Sequence, residues 1–327
     1  MKILKKLTAL FLMAAMIMAR IPVTASAAPA GEIHGVWITY IDWQSNLKGK
    51  DQAAFDASFS AMCDRVAANG GNAVVVHVRS HNDAVYPSNI YPWSSVMLNG
   101  VNPGFDPLAD MVSIAHGKGL SFHAWINPYG YRNGVFSGNV ALVNQANIVA
   151  GVAEIVNNYA VDGVHFDDYF PTYAASVHNS MIQQVYATCH AAGKTFGISP
   201  QGNVENNMAM GADVATWLSV PGYVDYLAPQ IYWTDNYGAA GNVTMFSNRL
   251  NQWTALNKLG LPMYVGMAAY RAGQPLAADR GWTLKNNNLQ TQANLAAQKG
   301  WKGYFLYSYA SLSLPAAQTE LTNLRAR

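Results

Sequence analysis

The stretch that organises this sequence is VDGVHFDDYFP, residues 161–171. It begins as an apolar run and ends in two adjacent carboxylates, Asp167 and Asp168, which are followed by two aromatic residues and a proline. Pro171 lacks an N–H group and restricts the residue before it, so regular structure ends here. Acidic groups at the tip of an apolar strand are typical of the site end of a parallel α/β protein. The alternative is two loop aspartates that cap the next helix.

Short apolar segments alternate with longer helical ones along the rest of the chain. The helical segment 52–69, for example, places Phe55, Phe59, Met62 and Val66 on one face. The predicted strands are 34–40, 73–78, 121–126, 161–166, 195–198, 226–231, 263–267 and 303–307. The predicted helices are 52–69, 108–119, 144–159, 176–192, 212–219, 245–259, 289–299 and 315–325.

Eight strand–helix units predict an α/β fold, specifically a closed (β/α)8 TIM barrel with a parallel sheet. The alternative is an open, doubly wound sheet, which usually carries a glycine-rich nucleotide turn after its first strand. This sequence has no such turn there. We therefore predict a single barrel domain over residues 28–327.

Composition excludes several classes of protein. The chain has 327 residues, of which 51% are hydrophobic and 12% are charged. This balance argues against a disordered chain and against a nucleic-acid partner, which requires a basic face. Cys63 and Cys189 both fall in helical patterns, where we expect buried small hydrophobic residues, although a disulfide remains open.

The N-terminus is typical of a secretory signal peptide over residues 1–27. Lys2, Lys5 and Lys6 precede the apolar run 7–19, and the small residues 25–27 suit a signal peptidase. An uncleaved membrane anchor is the alternative. Cleavage after residue 27 removes four of 20 basic residues and none of 18 acidic ones, so the formal net charge changes from +2 to −2. The expected location is secreted or in the cell envelope.

Carboxylates at the strand ends are the candidate catalytic groups. Glycoside hydrolysis commonly uses two carboxyl groups around the scissile bond, one of them with a raised pKa. Strand alternation points Asp167 into the barrel with His165 beneath it, either orienting it or packed as a core histidine. Asp168 could be the acid, because neighbouring carboxylates raise one another's pKa. Glu205 is the third catalytic candidate, and Asp235 also competes for the role of acid.

Aromatic and polar side chains cluster at the same strand ends. Aromatic faces stack on sugar rings, and amides and charged groups bind hydroxyls, so the mixture predicts a carbohydrate site. The alternative is that the aromatic residues plug the barrel mouth as ordinary core. The predicted substrate-binding residues are Tyr40, Arg79, Asp83, Trp125, Asn127, Tyr169, Gln230, Tyr232, Trp233, Arg271 and Tyr307.

No metal or other cofactor is predicted, because the sequence contains no Cys/His zinc spacing. A weaker alternative is a metal-dependent deacetylase or hydrolase that uses Asp42, His81, Asp83 and Asp167. Their spacing does not match a recognised metal pattern. The sequence does not define an oligomeric state.

Six phrases stand in order at the tips of the predicted strands: HGVW at 34–37, VR at 78–79 with DAVYPS at 83–88, HAWINP at 123–128, DGVHFDDYF at 162–170, GISP at 197–200 and APQIYW at 228–233. Together they resemble the glycosyl hydrolase-like 10 family of secreted bacterial proteins. The resemblance implies a TIM-barrel glycosidase with a glycan as its substrate. At least one family member acts on peptidoglycan strands stripped of their peptides, which implies association with the cell wall.

The opening stretch is also similar to the Asp-Gly-x-Asp-x-Asp-x-Glu strand of family 18 chitinases. Asp162, Gly163 and Asp167 match, whereas His165 and Tyr169 stand where an Asp and the catalytic Glu are expected. An acid must then come from the adjacent aspartate or another loop, and hydrolysis assisted by a substrate acetamido group remains open. The missing Glu also motivates a second hypothesis, a non-catalytic carbohydrate-binding barrel.

Overall fold

The computed structural model describes residues 31–327, so the predicted signal peptide lies outside the described residues. Eight parallel strands form one sheet in which each strand pairs with its neighbours in sequence, and the first pairs with the last. The strands are β1 (Ile33–Ile38), β2 (Ala73–Arg79), β3 (Ser121–Ile126), β4 (Gly163–Phe166), β5 (Thr195–Ile198), β6 (Tyr226–Leu227), β7 (Val265–Met267) and β8 (Gly303–Tyr307).

Three backbone hydrogen bonds close the sheet between β6 and β7. Tyr264 N donates to Leu227 O at 3.0 Å, Gly266 N donates to Pro229 O at 2.9 Å, and Ile231 N donates to Gly266 O at 3.0 Å. The closed sheet has helices around it, which confirms the predicted (β/α)8 barrel.

Helices connect the strands on the outside of the barrel. Capping side chains mark where several of them begin: Asp51 accepts from Ala54 N, and Asp106 accepts from Leu108 N. Within the described range, no helix is long and apolar enough to cross a bilayer. The main helices are α1 (Gln52–Ala68), α2 (Pro107–Gly117), α3 (Gln145–Asn158), α4 (Ala175–Ala191), α5 (Val204–Ala209), α6 (Met245–Leu256), α7 (Asn288–Gln298) and α8 (Gln318–Arg325).

The first strand is shorter than predicted, because a short helix, Tyr40–Asn46, begins where the strand was expected to continue. Thr39 and Asp42 form a capping box: the Thr39 side chain accepts from Asp42 N at 3.1 Å, and Thr39 N donates to Asp42 Oδ2 at 2.8 Å. Helix α5 was also missed, because it has only six residues and they show little apolar periodicity.

The two faces of the barrel wall have different contents. Val74, Val76 and Val78 of β2 pack outwards in the helix-covered core, whereas the interior is filled mainly by aromatic rings. Glycines make room for these rings: a Cβ on Gly35 would overlap the ring of Phe305. The interior below the mouth is therefore a packed core and not a channel.

Both cysteines are buried and free, which answers the open question of a disulfide. Cys63 lies on α1 and Cys189 on α4. Burial raises the pKa of each thiol to about 12. Both therefore behave as small hydrophobic side chains of the outer core.

Candidate active site

A pocket of about 210 Å³ lies at the carboxyl ends of the barrel strands. Its wall is mostly aromatic, with a few polar groups among the rings. The lining residues are Trp37, Tyr40, His77, Trp125, Arg132, Asp167, Tyr169, Ser199, Gln230, Tyr232, Tyr270 and Tyr307.

Asp167 directly follows β4 and is 5% exposed. Its Oδ1 accepts hydrogen bonds from Gln230 Nε2 at 3.0 Å and from Asp168 N at 2.8 Å. The Gln230 amide also donates to Ser199 O at 2.9 Å, which fixes the orientation of the amide. The Asp168 carboxyl is hydrogen-bonded to the Asp167 side chain, and no further donor among residues 31–327 contacts this carboxylate, so it can still accept from a ligand in the pocket.

Asp167 and Asp168 form an acidic pair with raised pKa values. Burial raises the pKa of Asp167, and the positive charge of Arg132 partly opposes this shift. Burial and the adjacent Asp167 charge raise the pKa of Asp168 well above its usual range. Asp168 is half-buried and lies beside the pocket lining. Asp168 is therefore the member of the pair that keeps its proton to the higher pH.

Three side chains of the pocket wall carry a buried donor that has no hydrogen-bond partner within residues 31–327. They are Arg132 Nη1, Tyr232 Oη and Trp125 Nε1. Buried polar atoms in folded proteins are nearly always paired with protein, water or ligand. Three such donors around one carboxylate make the pocket suited to a polar ligand that is rich in acceptor oxygens.

His77 is a neutral part of the pocket wall. Its ring stacks on Trp125 with 3.4 Å between the centroids. Its Nδ1 accepts from Tyr40 N at 3.2 Å, so the ring proton is on Nε2 and is donated to Asn127 Oδ1 at 3.1 Å. Burial lowers the pKa of His77 well below its usual value. With both nitrogens engaged, His77 holds Trp125 in place and cannot serve as a base.

His165 does not orient Asp167 and instead belongs to the barrel core. Its Nε2 accepts from Trp37 Nε1 at 3.3 Å, and its Nδ1 is 2.9 Å from Tyr226 Oη. Burial lowers its pKa well below the usual value, so the ring is neutral. The chain of hydrogen bonds supports the pocket floor through Trp37.

The structure brings seven of the predicted residues together in the pocket and places seven elsewhere. The residues that line the pocket are Tyr40, Trp125, Asp167, Tyr169, Gln230, Tyr232 and Tyr307. The residues outside the lining are Asp168, Glu205, Arg79, Asp83, Asn127, Trp233 and Arg271.

Arg79 lies outside the barrel, contrary to the alternation of β2. The register between β2 and β3 shifts between His77 and Arg79, so Arg79 pairs with Ile126 of the outer core. The fully buried guanidinium lies 3.5 Å from the ring centre of Tyr91. In the loop that follows, Asp83 Oδ2 accepts from Ser95 N at 3.2 Å. Both residues support this loop and do not face the pocket.

Glu205 and Asp235 lie away from the pocket. The Glu205 side chain is 62% exposed and accepts from Gln252 Nε2 at 2.6 Å and Arg249 Nη1 at 2.9 Å. The hydrogen bond from Gln252 is the main reason why the pKa of Glu205 is lowered. An ionised surface carboxylate does not fit the role of general acid. Asp235 accepts from Ser247 N at 2.8 Å near the start of α6.

Two further predicted residues stand at the edge of the site. The Arg271 guanidinium stacks 4.9 Å from the ring centre of Tyr270, and Tyr270 itself lines the pocket. The backbone carbonyl of Trp233 accepts from Gln292 Nε2 at 2.9 Å, which anchors the loop after β6.

Five lining residues were not among the predicted site residues: Trp37, His77, Arg132, Ser199 and Tyr270. Arg132 is the most informative, because it lies on a hairpin that was not among the predicted strands and helices. The segments Tyr131–Arg132 and Val135–Phe136 pair antiparallel. Asn133 and Gly134 join them with φ angles of 48° and 82°. Asn-Gly between aromatic residues is the sequence signal for such a turn.

The described residues offer little to a metal ion. Within 31–327, no group of three or more His, Cys, Asp or Glu side chains is arranged to hold one. Asp42, a candidate ligand in the metal-dependent alternative, already accepts from Thr39 N at 2.8 Å and Ala310 N at 3.1 Å. His81 is bonded to Ser80 Oγ at 2.8 Å.

Comparison with known proteins identifies the family. The family model described as Glycosyl hydrolase-like 10 matches residues 32–141 and 175–284, which together exceed half of the chain. The chain belongs to the glycosyl hydrolase-like 10 family. This confirms the resemblance of the six strand-tip phrases.

Two curated proteins of this kind are similar to the chain over most of its length. Glycosyl hydrolase YngK of Bacillus subtilis (strain 168) is 29% identical over 77% of the chain and 63% of YngK. The chain thus spans less than two thirds of that relative. Glycosyl hydrolase DigH of Escherichia coli (strain K12) is 26% identical over 90% of the chain and 87% of DigH.

Three solved structures similar to this glycosyl hydrolase-like 10 chain illustrate the shared fold. The endo-1,4-β-mannanase of Rhizomucor miehei has a TM-score of 0.61 at 9% identity, covering 90% of this chain and 94% of its own. GH5_18 of Streptomyces cattleya, in complex with GlcNAc, has a TM-score of 0.58 at 12% identity, with 90% and 80% covered. The Bacillus cereus spore cortex-lytic enzyme SleL has a TM-score of 0.54 at 12% identity, with 90% and 74% covered. Identities this low establish the shared fold only.

Proposed function

We propose that this protein is a glycoside hydrolase that cleaves an N-acetylated glycan of the bacterial cell wall. The observation that carries the proposal is the placement of Asp167 in an aromatic pocket, with one oxygen held by two donors and the carboxylate still able to accept from a ligand. Aromatic walls fit the apolar faces of sugar rings, and the unpaired donors fit sugar hydroxyl and acetamido oxygens. The names of YngK and DigH as glycosyl hydrolases support the class of reaction.

The arrangement of carboxylates favours hydrolysis assisted by the substrate. Two-carboxylate glycosidases need a second carboxyl across the scissile bond, whereas the described lining contains a single carboxylate, Asp167. In the proposed step, the acetamido carbonyl oxygen of the substrate attacks C1 while the bond from C1 to the leaving oxygen breaks. The leaving oxygen takes a proton from the Asp167–Asp168 pair. Water then opens the cyclic intermediate and returns a proton to the pair.

The two aspartates have different roles in this proposal. Asp167 contacts the sugar and stabilises the positive charge that develops around the acetamido group and C1. Asp168 keeps the proton until it is needed, because burial and the neighbouring charge raise its pKa. Gln230 keeps Asp167 in place through a bond of 3.0 Å.

The choice of a wall glycan draws on the relatives and on the predicted export signal. A spore cortex-lytic enzyme shares the fold, and another structure with this fold holds GlcNAc. We propose that residues 1–27 direct export and are removed, so that the enzyme meets the wall outside the cytoplasm. The intact mass of the protein recovered from the envelope or medium tests this, with a mature N-terminus at residue 28 expected. Full-length protein retained in the cytoplasm would contradict it.

The deciding experiment is mass spectrometry of products formed by the purified chain 28–327. The substrates are peptide-free wall glycan and a chitin oligomer. The variants are Asp167→Asn, Asp168→Asn and a matched surface control, Asp64→Asn, whose carboxylate is 60% exposed and paired only with Lys118.

Shortened glycans from the wild type and from Asp64→Asn, with loss in Asp167→Asn at unchanged thermal stability, are the expected result. Saturable glycan binding without product would instead establish a non-catalytic carbohydrate-binding barrel. Product formation that is unchanged in Asp167→Asn would overturn the assignment of the pocket.

A further inference from the structure

A short hairpin, held by hydrogen bonds at both ends, places Arg132 in the pocket. The Asn82 side chain donates to Tyr129 O at 3.1 Å and to Ser137 O at 2.8 Å, which ties both ends of the hairpin segment to the loop after β2. The two-residue turn at Asn133 and Gly134 leaves little slack between these anchors. The position of Arg132 is therefore set by the backbone and not by an ion pair.

The guanidinium group lies between two tyrosine rings of the pocket. Its central carbon is 4.2 Å from the ring centre of Tyr40 and 5.0 Å from that of Tyr169. Such contacts hold a cation over a ring and leave the N–H edge of the guanidinium available. Both rings line the same pocket as Asp167.

The charge of Arg132 acts on the nearby Asp167 but is not paired with it in a salt bridge. Among the described residues, no carboxylate forms a salt bridge with Arg132, and its buried Nη1 has no hydrogen-bond partner. The fully buried guanidinium of Arg79, outside the pocket, also has no hydrogen-bond partner in this range, so an unpaired guanidinium alone does not indicate a ligand. What distinguishes Arg132 is that its free donor lies in the wall of a pocket, where a ligand can reach it. A cationic donor in that position suits an anionic group on the ligand.

We propose that Arg132 is a specificity-determining residue that binds a carboxylate carried by a sugar of the substrate. The planar N–H edge of arginine matches a carboxylate in a two-point hydrogen bond. This inference rests on the proposed function and adds to it the chemical class of the glycan, an acidic N-acetylated polymer.

Two kinds of sugar supply such a group. A muramic residue has a free lactyl carboxylate when its peptide is absent and an amide when the peptide is attached. A uronic acid has a carboxylate on the ring. The shared chemistry is a carboxylate beside an N-acetylated sugar, and the substrates of the test separate the two sources.

The test compares kcat/KM on peptide-free wall glycan with kcat/KM on the same glycan after its carboxyl groups are reduced to alcohols. A polymer of alternating N-acetylglucosamine and glucuronic acid is the third substrate. The variants are Arg132→Gln, Arg132→Lys and the control Arg65→Gln. Arg65 also lies over a tyrosine ring, that of Tyr309 at 5.5 Å, but outside the pocket. Each variant is assayed at its own pH optimum, because the charge of Arg132 also lowers the pKa of Asp167.

We expect the wild type and Arg65→Gln to prefer the carboxylated wall glycan over its reduced form by about tenfold to a hundredfold. Arg132→Gln should lose that preference, because its rate should fall about tenfold or more further on the carboxylated glycan than on the reduced one. Arg132→Lys should fall between the two, since it keeps the charge but not the planar edge. An Arg132-dependent rate on the uronic acid polymer would assign the ring carboxylate as the group that is bound.

Equal wild-type rates on the two wall glycans, or equal losses on both in Arg132→Gln, would overturn the proposal while the hydrolase function stands. If the wild type cleaves neither glycan, the proposed function fails, and titration of binding tests Arg132 separately. Selective loss of binding to the carboxylated glycan in Arg132→Gln would still support its role. Identical binding by the two proteins would reject it.

Discussion

Aspartates at the two ends of the barrel differ in how fully the protein satisfies their hydrogen bonds. At the amino ends of the strands, Asp162 Oδ2 accepts from Phe122 N at 2.7 Å and from His116 Nε2 at 2.9 Å. At the carboxyl ends, Asp167 is bonded through one oxygen, and a second carboxylate, Asp168, is its neighbour. The hydrogen bonds at the amino ends satisfy the charge of the carboxylate. At the carboxyl ends, the Asp167 carboxylate can still accept hydrogen bonds from a ligand.

The amino-end arrangement occurs twice. Asp225, just before β6, repeats it: its Oδ2 accepts from Phe196 N of β5 at 2.7 Å, and its Oδ1 is 2.9 Å from His190 Nε2. In both places, a histidine in the last turn of a helix and the amide of the second residue of a strand share one aspartate. Burial alone would raise the pKa of Asp162, but the hydrogen bonds from His116 and Phe122 N lower it on balance.

The comparison separates stability from chemistry within one fold. The paired carboxylate of Asp162, with its lowered pKa, helps to hold the fold together, whereas the acidic pair Asp167–Asp168, with raised pKa values, is an arrangement suited to proton transfer. The substitutions below test whether the two ends differ as described.

The largest expected effect is that of Asp167→Asn on activity. Removing the charge at the pocket should lower kcat by about a thousandfold or more, since one preorganised group commonly contributes on this scale. The thermal midpoint should stay within a few degrees of the wild type, because burial disfavours the charged form. Steady-state kinetics and a melting curve on the same preparation measure both. A variant that melts early would make Asp167 a structural residue.

Asp168→Asn should change the pH dependence of the reaction as well as its rate. A proton donor with a raised pKa is active below that pKa and inactive above it, so wild-type kcat should fall as pH rises. The variant should lose about a hundredfold in kcat and show no alkaline limb of this origin. A pH–rate profile from pH 4 to 9 is the measurement. An unchanged alkaline limb in the variant would assign that limb to another group.

Asp162→Asn should lower stability and leave activity per folded molecule unchanged. The expected cost is about 1–3 kcal/mol at pH 7, because a buried backbone donor and a histidine lose a charged partner. The pKa of Asp162 is lowered in the folded state, so its contribution is present above the unfolded value and is lost as pH falls through the folded value. Urea unfolding at pH 7 and pH 3 should show the gap to wild type narrowing in acid. A gap that widens would contradict the sign.

The smallest effect should come from Glu205→Gln. This carboxylate is exposed, and an exposed ion pair of this kind contributes less than about 1 kcal/mol. Activity should match the wild type within twofold on every substrate. A large loss of kcat would return Glu205 to the list of catalytic groups and show that the pocket closes around a longer site.

The barrel was predictable from sequence because its signals are local. The valines of β2 and the apolar face of α1 indicate buried elements, and Pro171 marks the end of the segment that contains β4. The same reasoning located Asp167, which needs only the continuation of β4 by one residue.

Sequence patterns did not predict the position of a side chain where contacts with other segments of the chain determine it. Alternation along β2 points Arg79 inwards, but the register shift against β3 turns it out to Tyr91. Glu205 follows a strand as predicted, yet Gln252 of a distant helix holds it at the surface. Arg132 lies in the loop after β3, and a hairpin, not the continuation of the strand, brings it into the pocket.

The closure between β6 and β7 gives the barrel a weak seam. β6 pairs regularly with β5 over two residues, whereas its contact with the β7 side consists of single bridges at Leu227 and Gln230. Gln230 therefore joins the seam to Asp167. Heat that parts these few bonds would withdraw the amide from the carboxylate while the helices stay folded. The proposed activity should then be lost reversibly below the melting temperature, and amide exchange at Gly266 and Ile231 should be the earliest sign.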